Sequence, residues 1–463
     1  MTTSACRSTR MPDTHINRTP QTTAYPPRPI PSLWTMGGAL LSAGVAYALC
    51  LLMHYLLIGY CGMALYGDVI FAYQALMVTG ALLTMGTKHL VKNHLRAYPS
   101  PDTDTHNHFL WWHAGFLTQC LLLFSIVYAL LVMSFAFADH VGALQLDRFH
   151  IAFWTLISAP FFAISMMMTV YFRAFGHAFA YHFFGHTFVN LLWIAMTLAW
   201  ARLFPLPDTW DMVLFMVAQS FIAFLIIIVS ALFILRDQLR TLIHFKAPLE
   251  IRPDWAMGRF STLMIDLYAQ LPVTIVLFCA EIAGSSESLV GVLSLSMGLS
   301  SILMLASQAI YHSIYPHLDS LIQSKWRDTI ARKALVFANR MTLSLSVILL
   351  MVFILNGHSL LAYFGAHGPS TYGLFIGMLV ATTIRSFHRP LKHLVIASHE
   401  ETRRTGMLNL LFYLVLLIGG LMMTSYVGAL GLVISYGIFS ACQLGYLHTQ
   451  CYRQYRHAVF ALR

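Results

Sequence analysis

The feature that most constrains the fold of this chain of 463 residues is a set of twelve apolar runs. Each run is long enough to cross the hydrocarbon core of a bilayer. One crossing takes about 20 apolar residues in a helix. Charged residues make up only 10% of the chain, against roughly 25% in a soluble domain. The sequence therefore predicts an all-α polytopic membrane protein. The runs lie near 33–58, 69–91, 109–137, 151–173, 183–204, 212–235, 261–282, 288–315, 336–357, 371–395, 407–425 and 428–448.

The basic residues alternate from side to side between these spans. With the N-terminus inside, only Arg148 and Arg202 of the 28 Lys and Arg residues fall on the outer side, as the positive-inside rule requires. We therefore predict an inner (cytoplasmic) membrane protein with both termini in the cytoplasm. Because the rule also accounts for the net charge of +10, no nucleic-acid partner is predicted.

A long basic loop divides the spans into six and six, which predicts two six-helix lobes related by an internal repeat. A shift of 224 residues places Gly67 over Gly291 and Lys88 over His312. The predicted division is a disordered cytoplasmic tail, an N-lobe, a basic linker, a C-lobe and a second tail. Their ranges are 1–32, 33–236, 237–260, 261–449 and 450–463.

Four stretches carry a resemblance to a known superfamily. They are Leu65-Tyr66-Gly67 with Gly80 and Gly86; Gly291 to Leu318, closing with Tyr315-Pro316-His317-Leu318; Arg389-Pro390 with Ala397-Ser398 and Asn409; and Val427-Gly428-Ala429-Leu430-Gly431. With these residues the chain resembles the multidrug/oligosaccharidyl-lipid/polysaccharide (MOP) exporter superfamily, and within it the polysaccharide-type lipid-linked oligosaccharide flippases. The resemblance covers most of the chain from about 33 to 450.

The resemblance implies twelve helices in two lobes around a central cavity that opens alternately to either side, without an ATPase module. It implies a flippase for a lipid-linked oligosaccharide, a polysaccharide precursor. Its partners would be a lipid-linked sugar phosphate or pyrophosphate, membrane lipids and polysaccharide-assembly proteins. Twelve spans are usual in the multidrug branch, so a cation-coupled multidrug exporter of the same fold is the alternative.

An enzyme is less favoured. A membrane-embedded polysaccharide polymerase or ligase would require clustered charges in a sizeable outer loop, whereas the outer loops of this chain contain only two Arg residues. We predict no catalytic residues and no cofactor other than a coupling H⁺ or Na⁺. The seven cysteines are scattered, and His182 and His186 stand one turn apart without a nearby carboxylate, so no metal site is predicted either.

A polar stripe on span 7 supplies the candidate coupling residues, because an ionisable group inside a span is costly unless it is paired or hydrated. Asp266, Gln270 and Glu281 share one face of the helix. We predict that Gln270 contacts substrate and that Asp266 and Glu281 couple transport to a cation. The alternatives are an ion pair of Asp266 with Arg259 or Arg340, and an interfacial position for Glu281.

Two further spans offer candidate substrate contacts near their inner halves. Span 8 presents Gln308 and His312 on one face with small hydroxyl residues, a pattern that fits either a cavity wall or close helix packing. Lys88 in span 2 takes the repeat position of His312 and is a candidate substrate contact, although its position favours a lysine that extends to the membrane boundary.

The strongest cluster lies in span 10, where Arg385, Arg389 and Lys392 fall on one side of a helix together with His388 and His393. A guanidinium offers planar, bidentate donors to phosphate. We predict that Arg385, Arg389 and Lys392 bind the phosphate of a lipid-linked sugar. The alternative is that Arg389 and Lys392 reach the head-group layer. Pro160, Pro272 and Pro390 fall inside spans, where each bends its helix as a hinge or as a structural kink.

Overall fold

The computed structural model describes residues 33–87, 91, 104–140, 150–175, 177–243, 259–268, 270–283, 287–324, 328–395 and 399–455. Over these ranges the chain is helical, and no strand occurs within them. The predicted tails at 1–32 and beyond 455, Lys88, and most of the linker at 237–260 lie outside the described residues.

The described part of the first half of the chain contains six helices. They are α1 Leu33–Leu83, α2 Asp104–His140, α3 Ile151–Ala174, α4 Phe179–Leu203, α5 Thr209–Ile234 and the short α6 Arg236–Ile243. The proline at position 160 follows a single 3-10 turn, Leu156–Ser158, inside α3.

The described part of the second half contains eight helices. They are α7 Arg259–Asp266, α8 Leu271–Ile282, α9 Glu287–Gln323, α10 Thr329–Tyr363, α11 Pro369–Ser386, α12 His388–Val395, α13 His399–Val427 and α14 Ala429–Tyr455. Two predicted spans are each built from a pair of these helices. Span 7 consists of α7 and α8, and span 10 of α11 and α12.

Spans 1 and 2 are joined at Gly62, inside α1. Gly62 adopts φ 78° and ψ 168°, which breaks the helix. His54 and Tyr66 would lie about 18 Å apart along a continuous helix. The Tyr66 hydroxyl instead hydrogen-bonds Nδ1 of His54 at 2.9 Å. The chain therefore reverses here, and we call this end of the bundle the Gly62 end; the charge distribution predicts that it faces outward.

Nine helices of the described chain are long and apolar enough to cross a membrane. Eight of these helices each form one span, and α1 forms two. The split spans 7 and 10 bring the total to twelve. Each apolar run of the sequence thus corresponds to a helical segment, as predicted for a multi-pass membrane protein.

The two halves pack together along α1 and α9. At the Gly62 end, Gly67 and Gly291 touch: a Cβ on Gly67 would lie 2.5 Å from the Gly291 nitrogen. Deeper in the bundle, the Tyr47 hydroxyl donates to the carbonyl of Leu299 at 2.7 Å. Glycines allow such close approach of two backbones. These two glycines are equivalent in the predicted repeat, and equivalent positions meet when two halves are related by a two-fold axis between them.

Candidate functional site in the second lobe

Span 7 is interrupted between the end of α7 at Asp266 and the start of α8 at Leu271, a junction we call the span 7 break. Pro272 contributes to the break, because its nitrogen has no hydrogen to donate to the carbonyl of Tyr268 four residues earlier. An unsatisfied carbonyl at membrane depth costs several kcal/mol. The break therefore requires donors from other helices.

Three side chains from spans 10 and 11 supply these donors. Arg385 donates through Nη2 to the Tyr268 carbonyl. Lys392 donates through Nζ to the carbonyl of Ile265 at 2.8 Å. The Tyr413 hydroxyl donates to the carbonyl of Met264 at 3.0 Å. The backbone that the break exposes is thus held by side chains of the same lobe.

Arg385 lies inside the lobe, with only 2% of its surface exposed. Its Nη1 donates to the Tyr436 hydroxyl at 2.7 Å. Its guanidinium carbon lies 5.6 Å from the ring centroids of both Tyr268 and Tyr436. Contact with two aromatic faces stabilises the buried charge in place of water.

His388 joins span 7 to the last helix. The Ser440 carbonyl can only accept, so Nε2 of the fully buried His388 donates to it at 2.9 Å. Nδ1 of the neutral ring then accepts from the Tyr268 hydroxyl. Tyr268 is thus bonded through its hydroxyl to His388 and through its carbonyl to Arg385, which fixes the break against spans 10 and 12.

Span 10 is also interrupted, between the end of α11 at Ser386 and the start of α12 at His388, and here too a proline leaves a carbonyl without its helical donor. Pro390 cannot donate to the carbonyl of Ser386, four residues earlier. The Ser307 hydroxyl of α9 donates to that carbonyl instead, at 2.6 Å. Two proline-induced gaps are therefore closed by side chains from neighbouring helices.

The serine at this second gap provides a test. We expect Ser307→Ala to destabilise the protein by about 1–3 kcal/mol, because it leaves the Ser386 carbonyl buried without a donor. The measurement is the midpoint of thermal unfolding in detergent. In a Pro390→Ala background the new N–H can donate to the same carbonyl, so Ser307→Ala should cost much less there. Equal costs in the two backgrounds would refute the assignment.

Several predicted site residues gather at the span 7 break. Arg385 and Lys392 hold its carbonyls, Arg389 is half-buried one turn beyond Arg385, and Asp266 is the half-buried last residue of α7. Gln270 precedes α8, and its Oε1 is buried without a hydrogen bond from the described residues. These five residues lie at or next to the span 7 break, although they come from two separate predicted spans.

The other predicted site residues lie elsewhere or are not described. Gln308 follows Ser307 in α9 and is half-buried. The side chain of His312 and the whole of Lys88 lie outside what the structure describes. Glu281 lies at the Gly62 end, where its Oε1 is 3.4 Å from Nε2 of His150. Burial alone would lower the pKa of His150, but hydrogen bonding and charge from Asp68 and Glu281 raise it to about 9.

The three tyrosines at the span 7 break, Tyr268, Tyr413 and Tyr436, are not among the predicted residues. In the sequence they look like any tyrosine of an apolar run. The sequence signal that could have pointed to this site is each proline inside a span. The carbonyl of the residue four positions before such a proline must accept a hydrogen bond from outside its own helix.

The comparisons with known proteins identify the fold. No family model matches the sequence, and no significant match is found among curated proteins. A solved structure of the MATE multidrug transporter DinF-BH is similar to this chain, with a TM-score of 0.61 and 14% identity over 96% of this chain and 99% of that one. The fold is that of the MATE transporters.

Two other similar structures show a MATE multidrug resistance transporter of the MOP superfamily in different states. The outward-facing state has a TM-score of 0.59 and 10% identity, covering 91% of this chain and 95% of that one. The inward-facing state has a TM-score of 0.52 and 11% identity, covering 92% and 98%. The predicted fold class, with its twelve helices, is confirmed by these MATE structures. The flippase subtype remains a prediction.

Proposed function

We propose that this chain moves a lipid-linked oligosaccharide across an inner membrane by alternating access between its two lobes. The MATE fold supports the transport part of this proposal, since solved structures of that fold include an inward-facing and an outward-facing conformation. The close helix contacts at Gly67 and Gly291 lie between the two halves, where such a motion would separate them.

The balance of charged residues at the span 7 break is the observation that favours a lipid-linked phosphate as the substrate. Asp266 is the only carboxylate in α7, α11 and α12, whereas α11 and α12 contain Arg385, Arg389 and Lys392. An excess of buried positive charge attracts a phosphate or pyrophosphate and disfavours a cationic drug. Arg385 is a positioning residue in this proposal, because its guanidinium already donates to the Tyr268 carbonyl and the Tyr436 hydroxyl. The half-buried Arg389 and Lys392 are the proposed phosphate contacts.

Transport of a fluorescent polyprenyl-pyrophosphate disaccharide into vesicles of phosphatidylethanolamine and phosphatidylglycerol tests the proposal. We expect the wild-type chain to flip this lipid. Arg389→Gln combined with Lys392→Gln should slow flipping at least tenfold, about the effect of losing 1.4 kcal/mol or more of phosphate binding. Arg403→Gln combined with Arg404→Gln removes the same charge from exposed positions of α13 and should leave flipping unchanged.

A cation-coupled multidrug exporter is the second candidate, and the DinF-BH similarity favours it. It predicts gradient-dependent efflux of a cationic dye such as ethidium from the same vesicles, with no flipping of the lipid. Dye efflux that survives the Arg389 and Lys392 substitutions would replace the flippase proposal with this one.

A further inference from the structure

Three ionisable side chains from three different helices or their starts meet at the Gly62 end. Asp68 lies in α1 immediately before span 2, His150 immediately precedes α3, and Glu281 belongs to the last turn of α8. One ligand atom from each lies within 4.8 Å of the other two. Asp68 and His150 come from the first half of the chain and Glu281 from the second, so the cluster lies between the two lobes.

The contacts in this cluster are longer than typical charge-assisted hydrogen bonds. Nε2 of His150 lies 3.3 Å from Oδ1 of Asp68 and 3.4 Å from Oε1 of Glu281. Charge-assisted N–H···O bonds are about 2.7–2.9 Å long. The Oε1 atom of Glu281 is buried and receives no hydrogen bond in proper geometry from the residues that the structure describes. A buried carboxylate oxygen of this kind requires a cation or a donor.

We propose that Asp68, His150 and Glu281 bind a divalent transition-metal cation that joins the two lobes at the Gly62 end. With metal–ligand distances of about 2.1 Å, neighbouring ligands in a tetrahedral site lie about 3.4 Å apart. The two measured separations match this spacing. One imidazole nitrogen and two carboxylate oxygens form a ligand set suited to Zn²⁺, which commonly keeps a water as its fourth ligand.

The three side chains of the site remain partly exposed at the Gly62 end of the bundle. The side chains of His150, Asp68 and Glu281 keep 31%, 18% and 24% of their surface exposed. This exposure leaves room for a water ligand and for entry of the ion, while the partial burial limits competition from bulk water. The two carboxylates also give the site the negative charge that a divalent cation requires.

Metal binding has a local cost, because Nδ1 of His150 now accepts the N–H of Ala152 at the start of α3, at 3.0 Å. A neutral imidazole that binds metal through Nε2 carries its proton on Nδ1, so this cap is lost. The lost cap is a single hydrogen bond at the helix start. Coordination of one cation by three ligands outweighs one cap hydrogen bond, so the loss of the cap does not prevent binding.

A cation held here would favour the state in which the lobes touch. The cluster lies at the same end as the contact between Gly67 and Gly291, and separation of the lobes at this end would pull Glu281 away from its two partners. A ligand that binds one conformation stabilises it at the expense of the other. The metal is therefore expected to hold the Gly62 end closed.

Zinc binding to the purified full-length chain in detergent tests the site without any transport assay. After chelator treatment, Zn²⁺ is titrated in competition with a fluorescent zinc indicator. We expect one tight site in the wild-type chain, and a loss of affinity of at least about a hundredfold in each of Asp68→Asn, His150→Ala and Glu281→Gln. X-ray absorption of the zinc-loaded protein should show nitrogen and oxygen ligands and no sulfur.

The amide variants keep the shape of both carboxylates, so they separate metal binding from folding. His358→Ala is the matched control, since His358 is exposed near the end of α10 and stacks on Tyr372 outside the cluster. It should leave the tight site intact. The proposal is overturned if no saturable zinc binding occurs, or if binding survives all three cluster substitutions. Stability that changes with pH in the complete absence of zinc binding would also overturn it, by assigning the cluster to a proton.

The proposed metal site and the proposed function are tested by independent measurements. Zinc binding is measured without substrate, and lipid flipping is measured in chelator-treated vesicles. Loss of either result leaves the other standing.

Discussion

Replacing Gly291 with alanine is expected to stop transport by holding the two lobes apart at the Gly62 end. A Cβ at this position would lie 2.1 Å from the backbone oxygen of Met63 and 2.9 Å from the Met63 Cγ. An ordinary carbon–oxygen contact is about 3.3 Å, so the two helices must separate by about 1 Å. Because the obstacle is backbone, no side-chain rotation relieves it. If the Gly62 end cannot close, the cycle cannot be completed, and we expect at least a hundredfold loss of transport.

Two measurements show whether the lobes have separated. Flipping in vesicles gives the loss of transport, and the rate at which a maleimide modifies Cys61, next to Gly62, reports on access at this end in the purified protein. We expect faster modification in Gly291→Ala than in the wild type. Gly59→Ala is the matched control, because a Cβ on Gly59 would meet no atom within 4 Å. Wild-type transport by Gly291→Ala would exclude closure of the lobes at this contact.

The contact between these two glycines shows what the sequence could predict. Each apolar run is a local signal, so twelve spans and their order follow from the chain alone. The shift of 224 residues that relates Gly67 to Gly291 comes from comparing the halves of the chain, and the structure brings the pair into contact. The sequence thus predicts the spans and the equivalence of these two positions.

The pairing of side chains across helices could not be predicted in this way. Arg385 was expected to face a phosphate, yet it donates to the Tyr268 carbonyl, 117 residues away in the chain. Pro272 leaves the Tyr268 carbonyl without a helical donor. The side chain that donates to it depends on the rotation and depth of neighbouring helices, and these are set by tertiary packing. Glu281 likewise reads as a single interfacial charge until folding brings His150 beside it.

Removing Arg385 is expected to produce the largest loss of stability among the site variants. Arg385→Ala leaves the Tyr268 carbonyl and the Tyr436 hydroxyl without this donor, inside a lobe where water cannot replace it. An unsatisfied buried group costs about 1–3 kcal/mol, and the vacated volume adds to this, so we expect a total of about 3–5 kcal/mol. Thermal unfolding in detergent gives the loss of stability, and flipping in vesicles should fall with it because the span 7 break is no longer fixed.

A second substitution separates positioning from phosphate binding. Pro272→Ala supplies an N–H for the Tyr268 carbonyl, so Arg385→Ala should cost less stability in that background and flipping should recover in part. Arg453→Ala, which removes an exposed arginine of α14, should change neither property. If Arg385→Ala instead abolishes flipping at wild-type stability, and Pro272→Ala restores nothing, Arg385 acts on the substrate directly. The expected pattern follows from its geometry, since a guanidinium already bonded to a carbonyl and a hydroxyl has few donors left for a phosphate.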